Sequence, residues 1–193
     1  VMDWLGKNFM SFNSIVQALE NSISDEKALE LPKMKFKNEY DKVLIIGGGN
    51  SIDENIDAIK SFLLKNRNLL IVFSSSRHIN HFLDIPNDKV ISFIGNEVDR
   101  FNISIKKNNN LKIVFPPSPR EFGTYLPKGW ESNSFELQDN HKFKIGEHTH
   151  CSLSMQIALK TKLKTFYVVG FDGYQENSIN KNFREVFYEN EKI

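Results

Sequence analysis

The sequence is poor in several features that define classes of protein. It has a single cysteine, Cys151, in 193 residues, so it has no internal disulfide framework and fits a reducing compartment. No apolar run approaches the roughly 20 residues of a membrane span, and no basic region followed by an apolar one marks a signal peptide. The formal net charge is only +1, which gives little attraction for nucleic acid or a membrane surface. We therefore expect a cytoplasmic protein that has neither nucleic acid nor a membrane as its partner.

The first part of the chain has a helical pattern. Its apolar residues recur every three or four positions, which predicts one apolar stripe: Met2, Leu5, Phe9, Phe12, Val16 and Leu19. Poor helix formers near Ser11 favour two short helices over one. Ser24 can cap a third helix and Pro32 would end it. We predict a helical segment over residues 1–37 and a separate domain over residues 38–193.

Because the chain begins with Val1 and not Met, we expect it to be a fragment of a longer protein. The apolar stripe of the first helices must then be buried against something. It can pack on the main domain, on a missing N-terminal domain, or on a second subunit in a homo-oligomer.

Five short apolar runs, rich in β-branched residues, recur along the main domain, at residues 43–46, 69–73, 90–94, 111–115 and 165–169. Residues 52–63 and 151–159 have helical spacing, and the remaining connections are polar. Strands that alternate with helices indicate βαβ units. We predict an α/β fold, a Rossmann-like three-layer domain with a mainly parallel sheet of about five or more strands, preceded by the short N-terminal helices.

The first of these runs leads directly into Gly47, Gly48 and Gly49, followed by Asn50 and Ser51. A strand, a glycine turn and a helix N-terminus in this order present backbone N–H groups that favour phosphate. Ser51 suits the N-cap of the following helix. The third glycine of a dinucleotide fingerprint is missing, and so is the Gly-Lys-Ser/Thr of a P-loop, which argues against a Walker-type NTPase. A tight connection without a ligand is the alternative.

Ligands of parallel α/β sheets bind outside the carboxyl ends of the strands, and polar residues gather after the predicted strands. The candidate ligand-binding residues there are Asn50, Ser51, Ser74, Ser75, Arg77, Asn96, Glu97, Arg100, Arg120 and Asp172. Guanidinium groups match phosphate, and carboxylates could take ribose hydroxyls or hold Mg²⁺. These residues predict a nucleotide-like ligand, CMP- or ATP-like. Arg100 could instead be a solvated helix residue, and Asp172 could belong to a simple turn.

The histidines around residues 141–150 are candidates for metal binding or for general-base catalysis. We predict no metal site there, because His150 and Cys151 are adjacent and project in different directions on a helix. The preferred interpretation is a helix N-terminus at which Thr149 or Ser152 contacts the ligand. His148 or His141 could act as a general base, since neutral imidazole suits that role near neutral pH. Asp172 is a further catalytic candidate.

The turn at residues 47–51 resembles the G-x-G-P-S turn of two related groups, the 6-hydroxymethylpterin diphosphokinase-like family and the bacterial sialyltransferases of the Campylobacter type. Both also have a late helix, started by Ser or Thr, that leads to a strand ending in G-x-D. Here that segment runs from Thr149 to Gly170-Phe171-Asp172. The departure is Asn50 in place of Pro. The resemblance implies a nucleotide-activated donor.

A resemblance that covers most of the chain is to the C-terminal region appended to some bacterial aldolases of the HMG-CoA lyase-like, 4-hydroxy-2-oxovalerate aldolase type. It rests on IIGGG (45–49), SSSR (74–77), GNEVDR (95–100), PPSPREFGT (116–124) and GFDGY (170–174). It implies an N-terminal aldolase domain as a partner, whose tail would be the opening helices, and a role in surface-sugar biosynthesis. The barrel's metal-binding motifs are absent here, so lyase activity is expected only from that other domain.

Three hypotheses follow from these patterns. The favoured one is a domain that binds a nucleotide or nucleotide-sugar. The second is a transferase in its own right, either sialyltransferase-like with His141 or His148 as the base, or diphosphokinase-like with Mg²⁺ on Asp172 and Glu97. The third is a non-catalytic module that holds an aldolase in an assembly.

Overall fold

The computed structural model of the chain describes residues 22–23, 31–36, 40–93, 110–117, 126–127, 129–138 and 150–172. Its strands are β1 (Ser22–Ile23), β2 (Lys42–Ile46), β3 (Leu69–Phe73), β4 (Lys89–Ser92), β5 (Leu111–Phe115), β6 (Leu126–Pro127), β7 (Ser134–Glu136) and β8 (Phe166–Val169). Six of them form one sheet in the order β7-β5-β4-β3-β2-β8, and every pairing in it is parallel. β1 and β6 form a separate antiparallel pair. The predicted parallel α/β fold is confirmed.

The described helices are α1 (Ser51–Glu54), α2 (Ile56–Lys65) and α3 (His150–Lys160), with 3-10 helices at Ser76–Phe82 and Glu131–Asn133. The helix predicted over residues 52–63 is divided at Asn55, whose side-chain Nδ2 donates to the Ser51 carbonyl at 2.9 Å. An asparagine that bonds to the preceding turn competes with a continuous helix. The structure describes no helix that is long and apolar enough to cross a membrane.

The sheet lies between two helical layers, because successive side chains of a strand point to opposite faces. On one face Leu44 and Ile46 belong to a core that includes Ile59 and Leu63 of α2. On the other face Val43 and Ile45 pack in a core with α3, through residues such as Leu153 and Ile157. The central strands are buried on both faces, which explains why they are continuous apolar runs in the sequence. The result is the predicted three-layer arrangement.

β7 was not predicted, because its sequence, Ser-Phe-Glu, lies in a polar stretch. Its polar side chains find partners in the fold. The Ser134 hydroxyl donates to the Trp130 carbonyl at 2.8 Å, and Glu136 forms an ion pair with Lys33. The sheet thus gains a strand whose polar groups are satisfied, Ser134 by a residue of the preceding turn and Glu136 by a residue that is distant in sequence.

The segment before the sheet differs from the prediction where the structure describes it. The predicted helices of residues 1–19 and 24–31 lie almost wholly outside the described residues. Residues 32–34, at the end of the segment predicted as helical, run alongside β7: Met34 N donates to Glu136 O at 2.7 Å, and Glu136 N donates to Pro32 O at 2.9 Å. The Met34 side chain is buried in the core. This part of the chain therefore extends the edge of the sheet.

Candidate functional site

The direction in which successive strands are added to the sheet reverses between β2 and β8. From β2 the chain moves outward through β3, β4 and β5 to β7, and then it returns to place β8 on the other side of β2. In open α/β sheets the crevice at such a switch point, outside the carboxyl ends of the strands, is where ligands bind. The glycine turn follows β2, and residues 170–172 follow β8. The two sequence motifs, which are more than a hundred residues apart, therefore meet at this point.

The glycine turn is paired with the segment after β8. Gly47 N donates to Val169 O at 2.8 Å, and Gly49 N donates to Gly170 O at 2.9 Å. A Cβ added at Gly47 would lie 2.2 Å from the Gly170 oxygen, and Gly170 itself has φ +73°. Glycine is required at both positions, at one by close approach and at the other by backbone conformation.

Asp172 stands at the N-terminus of α1. Its carboxylate accepts hydrogen bonds from the Ser51 backbone N at 2.8 Å and from the Ser51 hydroxyl. The predicted N-cap role of Ser51 is wrong, since the N-cap position is Asn50 and has no side-chain cap. A carboxylate from elsewhere in the chain performs the capping that favours negative charge at a helix start.

The prediction that the turn presents free N–H groups to phosphate is also wrong for three of them. Those of Gly47 and Gly49 are used by the segment after β8, and that of Ser51 is used by Asp172. The sequence could not show this, because every acceptor comes from a distant part of the chain. The turn carries a bound carboxylate in the place where an anion was expected.

Arg77 lies on the other side of the turn. Its Nη1 donates to the Gly48 carbonyl at 3.1 Å, and its Nη2 is 3.8 Å from Oδ2 of Asp53. Ser75 caps the 3-10 helix by accepting from Arg77 N at 3.3 Å. Ser74 is buried and its hydroxyl donates to Ile46 O at 3.2 Å. The predicted Arg77 is thus brought to the turn, whereas the two serines hold the local backbone.

Two histidines that were not predicted as site residues lie next to Arg77. His78 Nδ1 is 3.2 Å from Asp53 Oδ1, and His81 Nε2 is 3.7 Å from the same oxygen. The two rings are stacked, with centroids 6.0 Å apart. The signal in the sequence is a His-x-x-His spacing that begins directly after Arg77, close behind β3. Because residues i and i+3 of a 3-10 helix are eclipsed, this spacing places both rings on one side.

His78 is buried, with its side chain 1% exposed. Burial lowers the pKa of His78 from its usual 6.5, and the Asp53 carboxylate acts in the opposite direction. The positive charge of Arg77 lowers this pKa further. His78 is therefore held neutral near pH 7, in the form that can accept a hydrogen bond or ligate a metal ion.

Asn50 faces inward at the turn. Its Oδ1 is buried, and among the residues that the structure describes it has no hydrogen-bond partner. A buried amide oxygen without a partner is costly and marks a place where a donor would be favourable. The predicted contact between Asn50 and a ligand stays a prediction.

Several predicted site residues lie outside the described residues: Asn96, Glu97, Arg100, Arg120, His141, His148 and Thr149. Ser152 belongs to α3, but its side chain is outside the described part. Their roles stay predictions.

A surface depression of about 420 Å³ lies at the opposite edge of the sheet, beside the beginnings of β2 and β3. It is lined by Lys42, Lys65 and Arg67, among others. The Lys42 ammonium donates to Asn66 Oδ1 at 2.8 Å. None of the predicted site residues lines this depression, and it lies at the end of the strands where the fold does not place ligands.

No protein-family model matches the sequence, and neither a curated protein nor a solved structure shows significant similarity to it. The class of the protein therefore follows from its own architecture, which is that of a Rossmann-like parallel α/β domain.

Proposed function

We propose that this Rossmann-like domain binds a nucleotide or nucleotide-sugar at the carboxyl edge of its sheet, beside the glycine turn and Asp172. The observation that carries the proposal is the position of these two motifs on either side of the β2–β8 switch point. This is where the fold leaves a crevice between loops that run to opposite faces of the sheet.

The charges around the turn suggest how such a ligand lies. The Asp172 carboxylate at Ser51 N–H repels a phosphate at that position, but it accepts hydrogen bonds from sugar hydroxyls. Arg77, on the other side of Gly48, is the group that pairs with phosphate. The ribose therefore lies toward Asp172 and the phosphate toward Arg77. Asn50 Oδ1, which lies in sequence between Gly48 and Ser51, the partners of Arg77 and Asp172, offers an acceptor to the base or the sugar.

The experiment is a titration of the full chain with CMP, a CMP-sugar, ATP and a UDP-sugar, by calorimetry and by thermal shift, with Mg²⁺ and with a chelator. Binding of any one of them raises the unfolding temperature in a concentration-dependent way. Arg77→Gln and Asp172→Asn should each weaken that binding by about tenfold or more. Arg67→Gln and Asp57→Asn, which change exposed residues away from the crevice, should leave it unchanged.

The proposal fails if no member of the panel produces either heat or a thermal shift. It fails equally if the two control substitutions weaken binding as much as those at Arg77 and Asp172. The proposal is restricted to binding, because His141 and His148, the predicted bases, lie outside the described residues.

A further inference from the structure

We propose that Asp53, His78 and His81 form a binding site for a divalent transition-metal ion of the zinc class. The three residues come from two elements that follow neighbouring strands, α1 after β2 and the 3-10 helix after β3. One ligand atom from each lies within 4.8 Å of the others. This site goes beyond nucleotide binding and does not depend on it.

The distances suit a small ion. With bonds of about 2.0–2.1 Å to nitrogen and oxygen, ligand atoms at the corners of a tetrahedron are roughly 3.4 Å apart. Asp53 Oδ1 is 3.2 Å from His78 Nδ1 and 3.7 Å from His81 Nε2. The two distances bracket the tetrahedral edge, and the two histidine nitrogens lie within 4.8 Å of each other. Rotation of the exposed Asp53 and His81 side chains can therefore bring all three atoms to one ion.

The site is held by rigid parts of the fold. His78 is buried beside the glycine turn, and the 3-10 helix that carries both histidines is capped by Ser75 and anchored in the core by Ile79 and Phe82. Asp53 follows the turn directly in α1. The separation between the ligands is thus set by the pairing of β2 with β3. A donor set fixed in this way loses little conformational entropy when an ion binds.

An unsatisfied group supports this interpretation. The second ring nitrogen of His78, Nε2, is buried and has no hydrogen-bond partner among the described residues. The 3.2 Å contact between Asp53 Oδ1 and His78 Nδ1 accounts for one nitrogen of this ring and leaves the other without a partner. A metal ion bound to Nδ1 would place the ring proton on Nε2, the nitrogen that lacks a partner among the described residues.

The donor set selects the kind of ion. Two imidazole nitrogens and one carboxylate oxygen suit Zn²⁺, Co²⁺ or Ni²⁺, whereas Mg²⁺ and Ca²⁺ prefer oxygen ligands throughout. Three protein ligands leave a fourth position open for water or a ligand. Arg77 touches Oδ2 of Asp53, so it orients the carboxylate while its positive charge weakens metal binding. We therefore expect weaker affinity than that of a closed four-ligand site.

The test consists of two titrations of the metal-free full chain. Binding of Co²⁺ is monitored by the visible absorption of the bound ion, and binding of Zn²⁺ is measured by calorimetry. The expected result is one ion bound near neutral pH and little binding of Mg²⁺. Asp53→Asn and His81→Asn should each reduce the affinity by more than about tenfold. Both residues are exposed, so these variants should fold, and thermal unfolding without metal checks this.

Glu54→Gln and Asn80→Ala are matched controls, since each changes an exposed neighbour on the same helical element. They should bind the ion like the unchanged protein. A triple variant with His141→Asn, His148→Asn and His150→Asn should also keep the site, because those histidines belong to another segment of the sequence. Absence of stoichiometric binding overturns the proposal. So does binding that survives Asp53→Asn and His81→Asn but is lost in the triple variant.

Discussion

A Cβ added at Gly49 would lie 2.4 Å from Oδ2 of Asp172, so the two residues exclude any side chain at that point of the turn. The contact explains why the third residue of the glycine turn is glycine. It also joins the turn to the segment after β8, because the same carboxylate caps Ser51. The effect of substituting one of these residues on the stability of the protein should therefore depend on which residue is present at the other position.

The first prediction concerns Gly49→Ala. The added methyl group must displace the Asp172 carboxylate and break its bonds to Ser51, which should destabilise the protein by about 1–3 kcal/mol. Urea denaturation measures this. In the Asp172→Ala background the obstacle is gone, so the cost of Gly49→Ala should fall markedly. Equal costs in the two backgrounds would contradict the proposed contact.

The second prediction is that Gly47→Ala behaves differently. Here a Cβ would meet the Gly170 carbonyl at 2.2 Å, and this is backbone that is fixed by strand pairing. We expect a loss of about 3 kcal/mol or more. Asp172→Ala should give no rescue, because the obstacle is not a side chain. Rescue of Gly47→Ala by Asp172→Ala would contradict the distinction between a backbone obstacle at Gly47 and a side-chain obstacle at Gly49.

The third prediction concerns Lys89, whose side chain is fully buried with its ammonium donating to the carbonyls of Ile85 and Asn87. Burial lowers the pKa of Lys89 from 10.5 to about 8. Between these two pH values the unfolded chain binds more protons than the folded one. The free energy of unfolding should therefore rise as the pH increases from about 8 to 10.5, and it should fall by the same amount when the pH is lowered again. The total effect is at most roughly 3 kcal/mol.

Lys89→Met should remove this part of the pH dependence. The measurement is the difference in free energy of unfolding between variant and unchanged protein, determined in urea at several pH values across this window. Lys65→Met, which changes an exposed lysine at the end of α2, is the control. A difference that stays constant across the window for Lys89→Met would refute the argument.

The fourth prediction concerns His78, whose pKa is lowered by burial. As pH falls below about 6.5, the unfolded chain takes up a proton that the folded chain resists, so stability should decrease on acidification. His78→Gln should weaken this decrease while lowering stability near neutral pH by about 1 kcal/mol or more through poorer packing. Urea denaturation at pH values from neutral to mildly acidic measures both. An unchanged slope on acidification would exclude His78 as its source.

The strands could be predicted because they are continuous apolar runs, which a strand buried on both faces requires. Leu69 to Phe73 is the clearest example, with all five residues buried. β7 could not be predicted, since Ser134 and Glu136 are polar and the partner of Glu136, Lys33, lies 103 residues away in sequence. Local sequence cannot show a polar strand that is satisfied by distant neighbours.

The site was predictable only in part, for the same reason. The glycine turn, Arg77 and Asp172 follow predicted strands, and the structure brings them together. The acceptors for the N–H groups of the turn are determined by the pairing of β8 with β2. No local pattern in the sequence reveals this pairing. His78 and His81 were overlooked although their spacing was visible, because the sequence alone did not place Asp53 beside them.

The pairing of the turn with β8 has a consequence for the order of folding. Ser51 and Asp172 are 121 residues apart in sequence, and contacts of such separation form slowly because a long loop must close first. A nascent chain that has been synthesised only as far as β5 already contains Gly47 and Gly49. It still lacks Val169 and Gly170, whose carbonyls accept from the N–H groups of these glycines. The contacts of the glycine turn at the switch point therefore form only when β8, the last described strand, has paired with β2.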